Sequence, residues 1–264
     1  MTGYPTSIGT ADETSIQVLG QDLANDLMGK VGFAELAYWL VAMRRPTPGQ
    51  LRVFETVLVA LADHGFTPTA IATRLTLTGA PESVQGALAA GLLGGGSRFL
   101  GVTEDSGRFL DNALTRHRES GGELPTSDQG WDELALAAVQ AQRDAGRYVP
   151  GLGHTLHKTQ DPRTPVLFWI ASDEGVLGAH MELFAAIGRV HSQILGRTLP
   201  LNGAGACGAA LCDLELPVDV LRGFALLART AGLLGHIAEE MRNPIGLDLY
   251  AHVEHETQYK PPTT

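Results

Sequence analysis

Along most of this chain apolar residues recur three and four positions apart, and Gly or Pro cuts the pattern into pieces of helical length. That period puts apolar side chains on one face of a helix. Gly32 to Arg45 is amphipathic and ends against Pro46, whose ring cannot continue a helix. Thr47–Pro48 is a start signal: a hydroxyl able to cap the first turn, then a proline whose missing N–H is no loss there. The helix it opens carries Leu51, Phe54, Leu58 and Leu61 and stops at Gly65. Thr67–Pro68 repeats the signal for a segment reaching Gly79. Pro81 to Leu93, Arg108 to Arg118, Trp131 to Ala145 with Ser127 as its cap, His180 to Leu195, and Val218 to Met241 are further predicted helices. Strand signals are scarce. Thr14 to Leu19 predicts a short strand, and Val166 to Ile170 fits either state. Glu119 to Gly130 is polar and contains Gly, Ser and Pro, which makes it the candidate linker. The tail from Glu256 reads as frayed. The fold class this pattern predicts is all-α.

Composition narrows the function classes. The 264 residues carry a formal net charge of −10, with 44% apolar and 18% charged residues. That is the make-up of an ordinary globular protein, long enough for one large or two modest domains. The negative balance argues against nucleic acid as a partner, because phosphate contacts need a basic surface. A helical transcription regulator is disfavoured on the same ground. The two cysteines, Cys207 and Cys212, offer no disulfide framework, so a reducing, cytoplasmic location is expected. Met1 to Thr10 has neither a basic nor an apolar leader region, and no run approaches about 20 uninterrupted apolar residues, so neither a signal peptide nor a membrane span is expected.

The densest chemistry lies in Pro150–Gly151–Leu152–Gly153–His154–Thr155–Leu156–His157–Lys158–Thr159–Gln160–Asp161–Pro162–Arg163. Gly151 and Gly153 permit a tight turn around a ligand. His154 can exchange a proton near neutral pH. Lys158 is a point charge suited to phosphate, and Arg163 a planar fork suited to carboxylate. Together they suit a substrate with phosphate at one end and carboxylate at the other.

This run resembles the histidine loop of the citrate synthase superfamily, roughly P-G-x-G-H-x-x-x-K/R-x-x-D-P-R. Ala62–Asp63–His64–Gly65 is similar to that family's A-D-H-G/E signature, and Ala228 to Gly232 with Gly235–His236 to its A-R-x-x-G-x-x-A/G-H helix. Arg242–Asn243–Pro244 is similar to its final R-x-P. Gly91 to Glu104 follows the lyase branch, G-L-L-x-x-G-x-R-F, with Phe99 where synthases carry a histidine.

The resemblance implies an all-helical homodimer, with residues 113–212 forming a small domain and 1–112 and 213–264 the two parts of a large one. It implies a CoA thioester and a tricarboxylate or oxo-acid as ligands, with coenzyme A as part of the substrate and no tightly bound cofactor. The implied reaction is carbon–carbon cleavage of citryl-CoA, or a close analogue, to oxaloacetate and acetyl-CoA. His154 would act at the hydroxyl on the central carbon, with His64 a second polar contact. Arg163, Arg229 and Arg242 would grip carboxylates, Arg242 across the dimer. Lys158, Gly151 and Gly153 would serve CoA. The family's N-V-D motif falls at Asn202–Gly203–Ala204, so its aspartate is absent here. Glu104, with Asp105 and Asp213 as neighbouring candidates, would supply the missing proton. The other reading that this loss motivates is a catalytically silent CoA-binding or partner subunit. No metal site is expected: neither His154 with His157 nor the cluster His252 to Glu256 has a full ligand set.

Overall fold

The computed structural model describes residues 3–262, and its fold is helical as the periodicity predicts. Three short strands come first: β1 (Gly9–Ala11), β2 (Ile16–Val18) and β3 (Gln21–Asp22). They form an antiparallel meander in which Gly9 pairs with Val18 and Gln17 with Asp22. A π-helical turn at Leu23–Leu27 leads into α1 (Phe33–Ala42), α2 (Pro48–Ala62), α3 (Pro68–Gly79), α4 (Val84–Leu93), α5 (Val102–Glu119) and α6 (Asp128–Asp144). After the histidine loop come α7 (Arg163–Asp173), α8 (Ala179–Leu195), α9 (Gly203–Asp213), α10 (Leu221–Arg242) and α11 (Gly246–Glu256).

The Thr-Pro signals place the starts of α2 and α3 where expected, and Ser127 caps α6 by accepting from the Gly130 N–H. Other boundaries differ. α5 begins six residues before the predicted Arg108, because its first turn is polar and carries no apolar period. Val166 to Ile170 is helical, inside α7. Glu119 to Gly130 is the connection between α5 and α6 rather than a link between compact units. α9 and α11 were not predicted.

The chain divides into two compact units. Unit 1 is residues 1–57 and 103–221, and unit 2 is residues 58–102 and 222–264. This division follows compactness alone. The large and small domains expected at 1–112, 113–212 and 213–264 come from the family resemblance and remain an expectation.

Unit 1 is organised around α8, which packs on α6 and α9. Met181, Phe184, Ile187 and Val190 of α8 and Ala135 and Val139 of α6 are buried. Each large apolar side chain so buried contributes about 1.5–3 kcal/mol. α9 is helical despite Gly203, Gly205 and Gly208, for a steric reason. A Cβ on Gly208 would lie 2.1 Å from the Thr103 carbonyl oxygen, and one on Gly205 would lie 2.5 Å from the Gly151 Cα. Close packing against α5 and the histidine loop overrides the poor helix propensity of glycine. Cys207 and Cys212 lie on α9 as buried free thiols, both pushed up to about 12 by burial.

Unit 2 packs α3 on α4 and α11, with Leu77, Ala87 and Ile237 in its core. By length and composition the segment Val218–Arg242 could cross a membrane, which the sequence reading did not expect. Its buried Arg229, His236 and Glu240, each hydrogen-bonded within unit 2, are those of a polar-lined core helix.

Candidate active site

The sequence-predicted site residues fall in both units. In unit 1 the histidine loop is held by its backbone. Gly151 and Gly153 have φ of 85° and 83°, the left-handed region that favours glycine. A Cβ on Gly151 would also lie 2.6 Å from the Phe184 ring. The loop is pinned to the segment before α9: Gly153 N–H donates to Pro200 O at 2.8 Å, and Asn202 N–H to Gly151 O at 2.8 Å. The Asn202 side chain donates to Gly153 O and accepts from Gly205 N–H, so one residue both caps α9 and ties the loop to it.

At the tip, His154 Nδ1 accepts the N–H groups of Leu156 (3.1 Å) and His157 (3.0 Å). An imidazole nitrogen that accepts two N–H groups carries no proton, so the neutral ring is protonated on Nε2. His154 is therefore built as a hydrogen-bond donor through Nε2. It is not built to accept a proton there, which changes the acid–base role that its residue type suggested. The same two bonds remove Nδ1 as a metal ligand. The His157 ring stacks on it, with centroids 4.4 Å apart. Lys158, exposed, folds back so that Nζ donates to His154 O at 3.2 Å.

Arg163 opens α7 and is held by Asp161, a residue that the motif contains but to which sequence reasoning gave no role. Asp161 is fully buried. It accepts from Arg163 Nε (3.0 Å), Arg163 Nη2 (2.7 Å) and the Gly203 N–H (2.7 Å). Burial would raise its carboxyl, but these donors win and hold it well below the usual carboxylate range. Burial likewise opposes the charge of Arg163, and the Asp161 carboxylate more than offsets it, raising the guanidinium above its ordinary value. The fork is thus aimed by a bidentate, charge-assisted pair.

Glu104 and Asp105 lie in the first turn of α5, both half-buried, and Glu104 Oε1 accepts from Arg108 at 2.9 Å. Asp213 is committed elsewhere. It closes the N-terminus of α8 by accepting from the N–H groups of Gly178, His180 and Met181, and from the His180 ring at 2.8 Å. Ala204 sits in the first turn of α9, half-buried among buried neighbours.

In unit 2, His64 is half-buried in the turn between α2 and α3. Asp63 beside it accepts from Gly65 N–H (2.8 Å) and from His236 Nε2 (3.0 Å). Burial pushes its carboxyl up, but those donors outweigh it and leave it below its ordinary value. Arg229 is buried on α10; its Nε donates to Leu61 O at 3.2 Å and its Nη1 reaches Thr67 Oγ1 at 3.5 Å. Arg242 is exposed at the end of α10. Phe99, 42% exposed, lies in a tight turn whose Phe99, Leu100 and Gly101 N–H groups converge on Gly96 O. Sequence reasoning missed Asp161, Asn202 and the partners of Asp63. A charge on an otherwise uncharged buried face of α3, Arg74 beside Thr69, Ala70, Thr73 and Leu77, was the readable signal for the network behind Asp63.

Comparison with known proteins places the chain in a family. The family description "Citrate synthase, C-terminal domain" matches residues 20–246. A solved citryl-CoA lyase from Hydrogenobacter thermophilus superposes with a TM-score of 0.83 at 28% identity, over 99% of this chain and 96% of that one. A probable ATP-citrate synthase from Dictyostelium discoideum is 25% identical over 82% of this chain and 34% of its own length. A citrate synthase from Deinococcus radiodurans is 28% identical over 83% of this chain and 55% of its own length. The chain thus spans about a third to a half of those two relatives. With a family match over most of its length and a helical fold that superposes end to end on a solved relative, the chain belongs to the citrate synthase C-terminal domain family.

Proposed function

We propose that this chain is a carbon–carbon lyase that cleaves citryl-CoA, or a close analogue, to oxaloacetate and acetyl-CoA. The observation that carries the reading is the end-to-end superposition on a citryl-CoA lyase, which leaves no large part of either chain unaccounted for. The histidine loop, with its tautomer set by backbone N–H groups, supports it.

In the proposed reaction the bond between the thioester's methylene and the carbinol carbon breaks. The hydroxyl gives up its proton to solvent, its oxygen becomes the ketone of oxaloacetate, and the methylene leaves as the acetyl-CoA enolate. One proton then returns to that carbon, so the step is an isomerising cleavage with no net proton change. His154 Nε2–H is suited to donate to the carbinol oxygen as negative charge develops there, the point at which a fixed donor is worth most. His64 is the second polar contact. Arg163, Arg229 and Arg242 are the carboxylate forks, and Lys158 with the Gly151–Gly153 turn serves the CoA side. Glu104 is the proton source for the enolate in place of the family aspartate that Ala204 lacks.

Arg242, exposed at its helix end, is proposed to serve a second copy of the chain. Mixed His154→Ala and Arg242→Ala proteins would then regain activity on subunit exchange, because one hybrid site carries neither lesion. The test of the main reading is oxaloacetate release from citryl-CoA, followed with malate dehydrogenase. The missing aspartate favours one competing reading, a silent subunit. That reading would hold if citrate and CoA bind and no oxaloacetate forms.

A further inference from the structure

Unit 2 buries a charge where its packing alone would call for an apolar residue. Arg74 lies on the inner face of α3 and is 1% exposed. Taking an arginine out of water is costly unless every arm of its fork is matched, and here each arm is. Nε donates to His236 Nδ1 at 3.1 Å, Nη1 to Glu240 Oε2 at 2.9 Å, and Nη2 to the Glu239 carboxylate. The Phe66 ring lies 4.9 Å from the guanidinium carbon.

These bonds have a direction. Arginine is only a donor, so the His236 nitrogen that faces it must be the acceptor. The ring's proton is then on Nε2, which donates to Asp63 Oδ1. Asp63 spends its other oxygen on the Gly65 N–H. One carboxylate thereby holds a three-residue turn, and His64 is the residue in its middle. On the other side Glu240 Oε1 accepts the N–H groups of Ile245 (2.9 Å) and Gly246 (2.7 Å). Those bonds close the turn that follows Arg242. Burial pushes the Glu240 carboxyl up, but the Gly246 N–H and Arg74 outweigh it and keep it below its ordinary value. A Cβ on Gly246 would meet Thr78 Oγ1 and Glu240 Oε1, so the start of α11 is clamped as well.

We propose that Arg74, acting through His236 and Glu240, is the positioning residue that sets both ligand-facing turns of unit 2, the one carrying His64 and the one following Arg242. The inference rests on the reading of His64 and Arg242 as substrate contacts. It adds a residue outside every motif that carried that reading. An apolar side chain could fill the space of Arg74, but it could not orient the two acceptors that the turns require.

The test measures citrate and CoA affinity by calorimetry on the full chain. Arg74→Met is expected to weaken citrate binding by about 10²-fold, the scale of a small misplacement of binding groups, and to leave CoA binding unchanged. Asp63→Asn should do the same, because an amide has one acceptor oxygen and cannot take both the Gly65 N–H and the His236 Nε2–H on separate oxygens. The double variant should be no worse than Arg74→Met alone, since the turn that Asp63→Asn loosens is one of the two that Arg74→Met loosens. Arg74→Lys keeps a cation for Glu240 and guards against simple unfolding, yet an ammonium cannot serve His236 and Glu240 as a fixed fork. It should fold and still bind citrate poorly. Citrate affinity unchanged in folded Arg74→Lys, or losses from Arg74→Met and Asp63→Asn that multiply, would overturn the proposal. Wild-type protein that binds citrate but does not cleave citryl-CoA would sink the lyase reading and leave this one standing. Wild-type protein with no citrate affinity would sink both.

Discussion

The two candidate site regions, the histidine loop and the His64 turn, are held in different ways. The histidine loop of unit 1 is fixed by backbone: two left-handed glycines, a short antiparallel tie to residues 200–202, and a single buried carboxylate, Asp161. The His64 turn of unit 2 is fixed by charge: buried Arg74, His236 and Glu240, with exposed Glu239, form a net that ends on Asp63. The backbone route sets the conformation of a loop and the tautomer of its histidine with few ionisable groups. The charge route ties two distant turns to one cation. The first should be insensitive to salt and depend on one acid. The second should fail cooperatively.

The largest expected effect comes from that one acid. Asp161→Asn leaves half-buried Arg163 beside a neutral amide, and losing one partner of a buried pair costs about 3–5 kcal/mol. Because Arg163 is part-exposed, the lower end is expected. Denaturant unfolding measures it; a loss under about 1 kcal/mol, the scale of a surface ion pair, would break the contrast between the regions. The same carboxylate gives a pH signature. Its folded value is depressed, so its contribution is full above the ordinary value of 3.8 and is lost as pH falls from there through the folded value. The acid limb of the stability profile should be shallower in Asp161→Asn than in wild type.

Next is His154→Ala, which removes a fixed donor and should lower kcat by roughly 10²–10³-fold with little change in KM. Unchanged kcat with weaker binding would make His154 a pure binding group. Smaller is Gly208→Ala, whose Cβ would press on the Thr103 carbonyl and should lower stability by about 1–3 kcal/mol through overpacking. A neutral melting temperature would show that α9 and α5 can separate. Smallest is Asn202→Ala, which removes a cap worth about 0.5–2 kcal/mol and frees Gly153 O. A loss of citryl-CoA turnover out of proportion to stability would sharpen the link between cap and loop.

What could be read in advance follows the same division. α2 and α3 were legible because Thr-Pro starts are local chemistry. The histidine loop was legible because its glycines, histidines, lysine and arginine sit within fourteen consecutive residues. α9 was not, because its glycines are dictated by neighbours distant in sequence, and composition alone reads them as helix breakers. The meander was half-legible, since strands of two or three residues are too short to show alternation. Asp161 was in view as part of a motif, but its joint use by Arg163 and Gly203 depends on where Gly203 returns to meet it. The charge net was the least visible, although Arg74 on an otherwise uncharged face and His236 with Glu240 one turn later on α10 were its traces.

The central claim, cleavage of citryl-CoA through an acetyl enolate, is tested most directly by turnover in deuterated water with mass analysis of the products. The account predicts oxaloacetate and acetyl-CoA in equal amounts, with a single deuterium in the acetyl methyl group. Citrate with free CoA, which marks thioester hydrolysis, or citryl-CoA recovered intact would contradict it.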